Sequence, residues 1–111
     1  MEKNYEKNME NCKSKQIIEL ISQKWVLNIL KHISDNGKKR FNELREEITG
    51  INPRTLSERL KELEEENILE KKKYNETPPK TEYELTIKGR ELTKCFEKLD
   101  EWIEKHEENK N

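Results

Sequence analysis

The sequence predicts a mainly α-helical domain with one small β-hairpin (α+β), arranged as a winged helix-turn-helix with additional helices at both ends. Three observations support this fold class. Two short helical segments are separated by a three-residue break, two alternating strands follow them, and a long apolar stripe lies near the end of the chain. Because apolar residues recur at helical spacing, we expect one folded domain although 42% of the 111 residues are charged.

Two helices are predicted before the break, following a polar tail at residues 1–11 that we expect to be flexible. The first contains the segment SKQIIELIS, in which Ile17, Ile18 and Ile21 are apolar. The second lies in KWVLNILKHISDNG, where apolar residues recur at helical spacing and Gly37 is a stop signal. The basic block KKR that follows, residues 38–40, is predicted to form a short strand.

The helix-turn-helix is expected at about residues 41–66. Its first helix is FNELREEI, which ends before Gly50. Its second helix is NPRTLSERLKELEEEN, where Asn52 is a favourable N-cap and Pro53 occupies the first helical position. Leu56, Leu60 and Leu63 recur at i, i+4 and i+7 and predict the buried side of this helix.

After this helix, apolar residues recur at every second position. This spacing predicts two strands that form a wing at about residues 68–86. The segments ILEKKKY and TEYELT are read as strands, and in the second Tyr83 and Leu85 alternate with the polar Glu82 and Glu84. Between the strands, NETPP contains two prolines that cannot donate to a strand ladder, so a stiff loop is expected there.

A final helix is predicted at about residues 87–106, followed by a short tail at 108–111. Its apolar stripe is larger than a terminal helix on a small monomer usually needs, and a lean core favours oligomers. We interpret Cys95, which lies within the stripe, as a small core residue. The stripe consists of Leu92, Cys95, Phe96, Leu99, Trp102 and Ile103.

The free face of the Pro53 helix suits the DNA major groove. Helical geometry places Arg54, Ser57, Glu58 and Lys61 outward in the first turns, with Thr55 on a flank. Arginine can pair with guanine, hydroxyls bind bases or phosphates, and glutamate can accept from cytosine. The glutamates at the far end would be repelled by phosphates, so the helix is expected to enter the groove N-terminus first. The alternative is an ordinary solvated face.

The hairpin is expected to hold the DNA beside the recognition helix. Its basic residues can contact phosphates or the adjacent minor groove. They can equally serve as a charged edge that prevents strand-to-strand aggregation, and both interpretations are compatible. These residues are Lys71, Lys72, Lys73 and Lys80.

Overall charge leaves a second class of function open. The formal net charge is −1 and the pI is near 6.2, which is not typical of a nucleic-acid-binding protein. Charge is segregated into local blocks, however, and local blocks determine binding. A winged-helix module that binds proteins and not specific DNA therefore remains the alternative.

An enzyme is not expected. Neither His32 nor His106 has a partner at metal-ligand or nucleophile spacing, and there is no Gly-rich phosphate loop. No metal or cofactor is therefore predicted. No apolar run approaches the ~20 residues that span a membrane, and the first residues lack the apolar stretch of a signal peptide. We expect a cytoplasmic protein without membrane contact, whose Cys12 and Cys95 are free thiols.

Several blocks of the sequence resemble the HxlR-type winged-helix transcription regulators, relatives of the MarR group. The resemblance covers roughly Cys12 to Trp102 and implies a homodimer that binds a pseudo-palindromic operator in double-stranded DNA and regulates a nearby gene; we expect a repressor with an oxidant or small-molecule effector. The blocks are SQKW, RFNELREEITGINPRTLSERLKELEEENILEKKKY, PPKTEYELTIKGREL and EW.

The resemblance also implies roles for individual residues. The Pro53 helix would be the recognition helix, and its likeness to the family adds Arg59 to the expected DNA contacts. Phosphate-positioning roles would fall on Lys24, Asn42 and Arg45, the wing tip on Pro78, Pro79 and Lys80, and a core position on Trp25. The terminal helices would form the dimer interface through Ile17, Ile18, Ile21, Leu92, Cys95, Phe96, Leu99, Trp102 and Ile103.

A cysteine near the start of the chain is a candidate sensor. Some family members sense oxidants or electrophiles with a cysteine at this place, usually followed by proline. Here Cys12 is followed by Lys13, so the dipeptide departs from the family pattern. Lys13 and Lys15 would favour the reactive thiolate. An inert Cys12 is the alternative.

Overall fold

The structure is a computed structural model that describes residues 13–108. Cys12, the predicted tail at 1–11 and residues 109–111 lie outside the described residues. Within 13–108, the chain forms five helices and three strands. In chain order these are α1 (Lys13–Ile21), α2 (Val26–Asn36), β1 (Lys38–Arg40), α3 (Phe41–Glu47), α4 (Pro53–Glu65), β2 (Leu69–Tyr74), β3 (Lys80–Leu85) and α5 (Ile87–Glu108).

The predicted fold class is confirmed. Helices α3 and α4 form the helix-turn-helix, and β2 and β3 form the wing. The KKR block is a strand, as predicted, and it gives the wing a third member: the antiparallel sheet has the order β1-β3-β2. Lys39 of β1 lies opposite Tyr83 of β3, and Lys71 of β2 lies opposite Tyr83 on the other side.

The core lies between α2, α4 and the sheet. Leu56, Leu60 and Leu63 are completely buried, so α4 presents the predicted side to the core. Trp25 is only partly buried; it packs against the core from the turn before α2, where its φ of 82° is left-handed. Trp25 also covers Gly50, whose φ is 89°, so this contact joins the α1–α2 turn to the α3–α4 turn.

The start of α4 is determined by its cap. Asn52 Oδ1 accepts a hydrogen bond of 2.7 Å from the Arg54 amide, and Pro53 follows the cap directly. This cap satisfies one of the free amides of the first turn, while proline removes another donor. The helix therefore begins where the sequence predicts, and the side chain of Arg54 projects from its first turn.

The root of the wing packs closely against α5. The Gly89 amide donates to Thr86 Oγ1 at 3.0 Å, and the Thr86 hydroxyl donates to the Asn67 carbonyl at 2.6 Å. A Cβ at Gly89 would lie 2.2 Å from the Ile68 carbonyl oxygen. Only glycine therefore permits this approach between α5 and the residue that precedes β2.

Burial differs from the sequence pattern at two positions. Glu82, a polar residue of the alternating pattern in β3, is buried, with only 7% of its surface exposed. The reason is that β3 is the central strand, so partners from both neighbouring strands and from β3 itself cover the carboxylate. Cys95, read as a core residue, is exposed. On α5 the adjacent Phe96 fills the core instead.

Within residues 13–108, none of the helices is long and apolar enough to cross a membrane.

Candidate nucleic-acid interface

The first turns of α4 present an exposed polar face. The Arg54 side chain is 89% exposed, and Ser57 and Lys61 are also exposed, whereas Thr55 is half-buried on the flank. Lys61 forms no ion pair with any residue between 13 and 108. Cationic and hydroxyl groups are therefore exposed on the side of α4 that faces away from the core, as the sequence predicts.

Arg54 and Glu58 lie one helical turn apart on this face. Arg54 Nε is 3.3 Å from Glu58 Oε1, and both side chains are more than half exposed. Residues at i and i+4 are neighbours on a helix surface, so the pair fits the local geometry. Glu58 thus contacts Arg54 in the free protein.

Arg59 has a different environment from Arg54. Its side chain is only 22% exposed; Nη1 lies 2.9 Å from Glu62 Oε1, and Nε donates to the Lys24 carbonyl at 3.3 Å. Gln23 donates to the other oxygen of Glu62. Arg59 therefore joins α4 to the turn before α2.

A groove of about 500 Å³ runs between the start of α3, the first turns of α4 and the wing. It brings Ser57 of α4 and Asn42 of α3 to the same surface as the predicted wing residues. The basic side chains on its walls outnumber the single acidic one. The lining residues are Arg40, Phe41, Asn42, Ser57, Lys71, Glu76, Pro78, Pro79, Lys80, Thr81 and Tyr83.

The wing lysines belong to two groups. Side chains alternate along a strand, so Lys71 and Lys73 share the face that carries Tyr83, which lines the groove. Lys72 points to the opposite face, where its ammonium lies 3.3 Å from Glu84 Oε2 and this contact raises the pKa of Lys72. Lys71 and Lys73 have no ion-pair partner within the described chain.

Lys80, which was expected at the wing tip, is held in place by two neighbouring side chains. It is the first residue of β3; its ammonium lies 3.3 Å from Glu82 Oε2 and 4.9 Å from the centre of the Tyr74 ring. The Tyr74 hydroxyl and Lys80 both hydrogen-bond to Glu82 and lower the pKa of that carboxyl, while partial desolvation acts in the opposite direction. The ammonium of Lys80 is therefore partly neutralised before any ligand binds.

The three predicted phosphate-positioning residues lie in different places. Asn42 lines the groove. Arg45 is exposed on α3 but does not line the groove. Lys24 lies at the α1–α2 turn, with its ammonium 5.0 Å from the centre of the Trp25 ring. The Lys24 carbonyl accepts from Arg59, so this residue flanks the edge of α4 that Arg59 occupies.

The sequence analysis assigned no DNA contact to five of the residues that line the groove, namely Arg40, Phe41, Glu76, Thr81 and Tyr83. The basic block KKR could have pointed to Arg40. Side chains alternate along a strand, so Arg40 faces away from its neighbour Lys39. Lys39 is buried whereas Lys38 and Arg40 are exposed. Glu76 carried no signal, since its place depends on the hairpin loop. Nowhere in residues 13–108 are three His, Cys, Asp or Glu side chains grouped to hold a metal ion.

A second surface is apolar. On α5, Leu99, Trp102 and Ile103 are 48%, 59% and 41% exposed, and Ile18 of α1 is 45% exposed. Trp102 stacks on His106 with ring centroids 4.4 Å apart. Other residues of the predicted interface are less available: Phe96 is buried in the core of the protomer, and Ile17, Ile21 and Leu92 are half-buried.

Comparison with known proteins identifies the family. The HxlR-like helix-turn-helix family matches residues 20–111. The HTH-type transcriptional regulator BH0655 of Halalkalibacterium halodurans is 37% identical over 103 residues, which cover 93% of this chain and 91% of that protein.

Solved structures show the same fold. The crystal structure of a MarR-family regulator from Enterococcus faecalis V583 has a TM-score of 0.77 at 32% identity, and the match covers 90% of this chain and 93% of that one. The redox regulator HypR in its reduced form has a TM-score of 0.76 at 36% identity, with coverage of 86% and 94%. The chain therefore belongs to the HxlR-like helix-turn-helix family of transcriptional regulators, which are relatives of the MarR group.

Proposed function

We propose that the protein is a dimeric, sequence-specific DNA-binding repressor. Helix α4 reads the major groove, and the wing holds the flanking backbone or the adjacent minor groove. The observation that carries this proposal is the basic groove in which Ser57 of α4 and Lys71 of the wing face the same space. A duplex lying along this groove would meet the first turns of α4 and the wing together.

Base reading is assigned to the first turns of α4. Arg54, Ser57 and Lys61 are exposed and can reach base edges or phosphates, and Thr55 flanks them. The acidic end of the helix, residues 62–66, would remain outside the groove, because phosphates repel carboxylates. Recognition helices in many helix-turn-helix proteins contact bases with their N-terminal residues in this way.

Contacts that position the protein on the DNA backbone are assigned to polar and basic residues around α4. Lys71 and Lys73 are the strongest candidates, because no acidic side chain in the described part of the chain pairs with them. Asn42, Arg45 and Lys24 would contact the DNA backbone on either side of α4. Contacts to phosphates fix the register of a protein on DNA and carry no sequence information themselves.

Dimerisation is assigned to the exposed apolar surface of α5 and α1. Leu99, Trp102 and Ile18 leave apolar area in water that a second copy would bury. Cys95 is exposed one turn before Leu99 and would lie within or beside this interface. Two-fold symmetry would then present two copies of α4 to a pseudo-palindromic operator.

Thiol-based control at Cys12 is the regulatory part of the proposal. HypR, one of the structural relatives, is a redox regulator. Cys12 directly precedes α1, which carries Ile18 of the proposed dimer interface. Oxidation there would act on the element that sets the spacing of the two recognition helices, and thereby on repression in the cytoplasm.

An electrophoretic mobility-shift experiment tests the function. The purified protein is titrated into DNA from around its own gene and into an unrelated duplex of equal length at physiological salt. Specific binding should exceed non-specific binding by about 10³-fold or more. Equal and weak binding to both duplexes would reject sequence-specific regulation and favour a winged-helix protein-interaction module.

A further inference from the structure

Arg54 and Glu58 form the one ion pair that the described part of α4 places on its outward face. The contact is made through Arg54 Nε, which lies 3.3 Å from Glu58 Oε1. The two terminal amino groups of the guanidinium contact no acceptor in residues 13–108. The Glu58 carboxylate therefore contacts the Nε side of the guanidinium. The edge formed by the two terminal amino groups remains free to bind a ligand.

The free edge matches guanine. In the major groove, guanine presents N7 and O6, two acceptors that a guanidinium fork binds together. An exposed arginine has many rotamers, and ordering such a side chain opposes binding. Because Glu58 lies one turn further along α4, it restricts Arg54 to conformations that extend along the helix surface.

We infer that Glu58 is a positioning residue that orients Arg54 toward guanine, so that each operator half-site carries a G·C pair at the place where α4 enters the groove. This inference rests on the proposed function and makes it specific. Glu58 acts through Arg54 and does not itself read cytosine. Its charge also opposes contact with phosphates, which reduces binding to DNA that lacks the guanine.

Selection from a synthetic duplex library with a randomised central segment tests the inference whatever the operator sequence is. The variants are Arg54→Ala, Glu58→Ala, the double variant, and Glu65→Ala as the matched control. Glu65 is a glutamate of the same helix near its acidic end, so its replacement removes the same charge from α4. Thermal melting establishes that each variant is folded.

The parent should enrich guanine at one position in each half-site. Arg54→Ala should reduce that preference by about ten- to hundredfold. Glu58→Ala should reduce it by about two- to tenfold, the loss expected when an arginine is no longer ordered in advance. The double variant should resemble Arg54→Ala, because Glu58 acts through Arg54. Glu65→Ala should keep the guanine.

Three results would overturn the inference. Guanine enrichment could be undiminished in Glu58→Ala, it could be undiminished in Arg54→Ala, or Glu58→Ala could instead lose a cytosine at a separate position. The last result would show direct reading by Glu58. If the parent enriches no sequence at all, the proposed sequence-specific function fails, and this inference fails with it.

Discussion

Lys39 Nζ lies 2.6 Å from Glu47 Oε2, and this ion pair joins β1 to the end of α3. The Lys39 side chain is only 10% exposed, so the ion pair with Glu47 compensates a charge that water scarcely reaches. The other oxygen of Glu47 lies 3.1 Å from Nδ1 of His32 on α2. One carboxylate therefore connects three elements around the first helix of the helix-turn-helix.

This carboxylate should make folding sensitive to acid. The hydrogen bond from Lys39 lowers the pKa of Glu47 from its ordinary value of 4.5, against a smaller opposing effect of desolvation. A lowered pKa in the folded state adds stability above the ordinary value, which is lost as the pH falls through the folded pKa. Thermal melting should therefore show the parent more stable than Glu47→Gln near neutral pH, with the difference shrinking as the pH falls below 4.5.

Glu46→Gln is the control for this comparison. Glu46 is exposed on α3 and has no ion-pair partner within the described chain. Its replacement removes the same charge without disturbing Lys39. A melting curve for Glu47→Gln that runs parallel to the parent at every pH would contradict the assigned role.

Gly89→Ala should destabilise the protein by about 1–3 kcal/mol, the usual range for overpacking. A Cβ there would meet the Ile68 carbonyl at 2.2 Å, so α5 must move away from the root of the wing. Urea unfolding measures the loss. Lys94→Ala, on an exposed position of the same helix, should change stability by less than about 0.5 kcal/mol. Equal stability of the two variants would mean that the contact relaxes without cost.

The start of α4 is predictable from sequence because its signals are local. Asn52 and Pro53 lie next to each other in the chain, and the structure uses them as cap and first residue. Burial in the sheet depends on contacts distant in sequence. Glu82 follows the polar half of an alternating pattern, yet β1 and β2 flank it and Lys38 lies 4.0 Å from its carboxylate. Sequence alone does not reveal that β3 is the central strand.

The candidate site is likewise only partly predictable from the sequence. The outward residues of α4 follow from helical periodicity, and Arg54 and Ser57 are exposed as expected. The sequence does not show which lysines form ion pairs and which keep an unpaired charge. Lys72 and Lys73 look equivalent in the run KKK, but only Lys72 meets Glu84. Pairing of the strands determines this difference.

Lys73→Ala should weaken binding to every duplex by a similar factor and lower the slope of log affinity against log salt by about 1. The reason is that Lys73 is exposed on the groove side of the wing and its charge is not neutralised by a described partner. Fluorescence anisotropy with operator and unrelated DNA, over a series of salt concentrations, measures both quantities. Lys72→Ala is the matched control, since Glu84 already neutralises Lys72 and the slope should change less.

Leu99→Lys should convert a dimer into a single 13.5 kDa chain in sedimentation at micromolar concentration. Leu99 is 48% exposed in the protomer, so a lysine can be accommodated there but would carry its charge into the apolar interface. Glu101→Lys places a lysine on the opposite side of the same helix and should leave the dimer intact. A parent protein that sediments only as the single chain would contradict the proposed interface.

Oxidation by diamide should change DNA affinity through Cys12. The change should occur in the parent and in Cys95→Ser but not in Cys12→Ser, because Cys95 would be covered by the proposed interface while Cys12 precedes α1. The thiolate is the form of a cysteine that oxidants attack. Anisotropy before and after reduction with a dithiol measures the effect and its reversal. If Cys12→Ser responds like the parent, Cys12 is inert. If only Cys95→Ser loses the response, the exposed thiol of α5 is the sensor, and the dimer interface must leave it accessible.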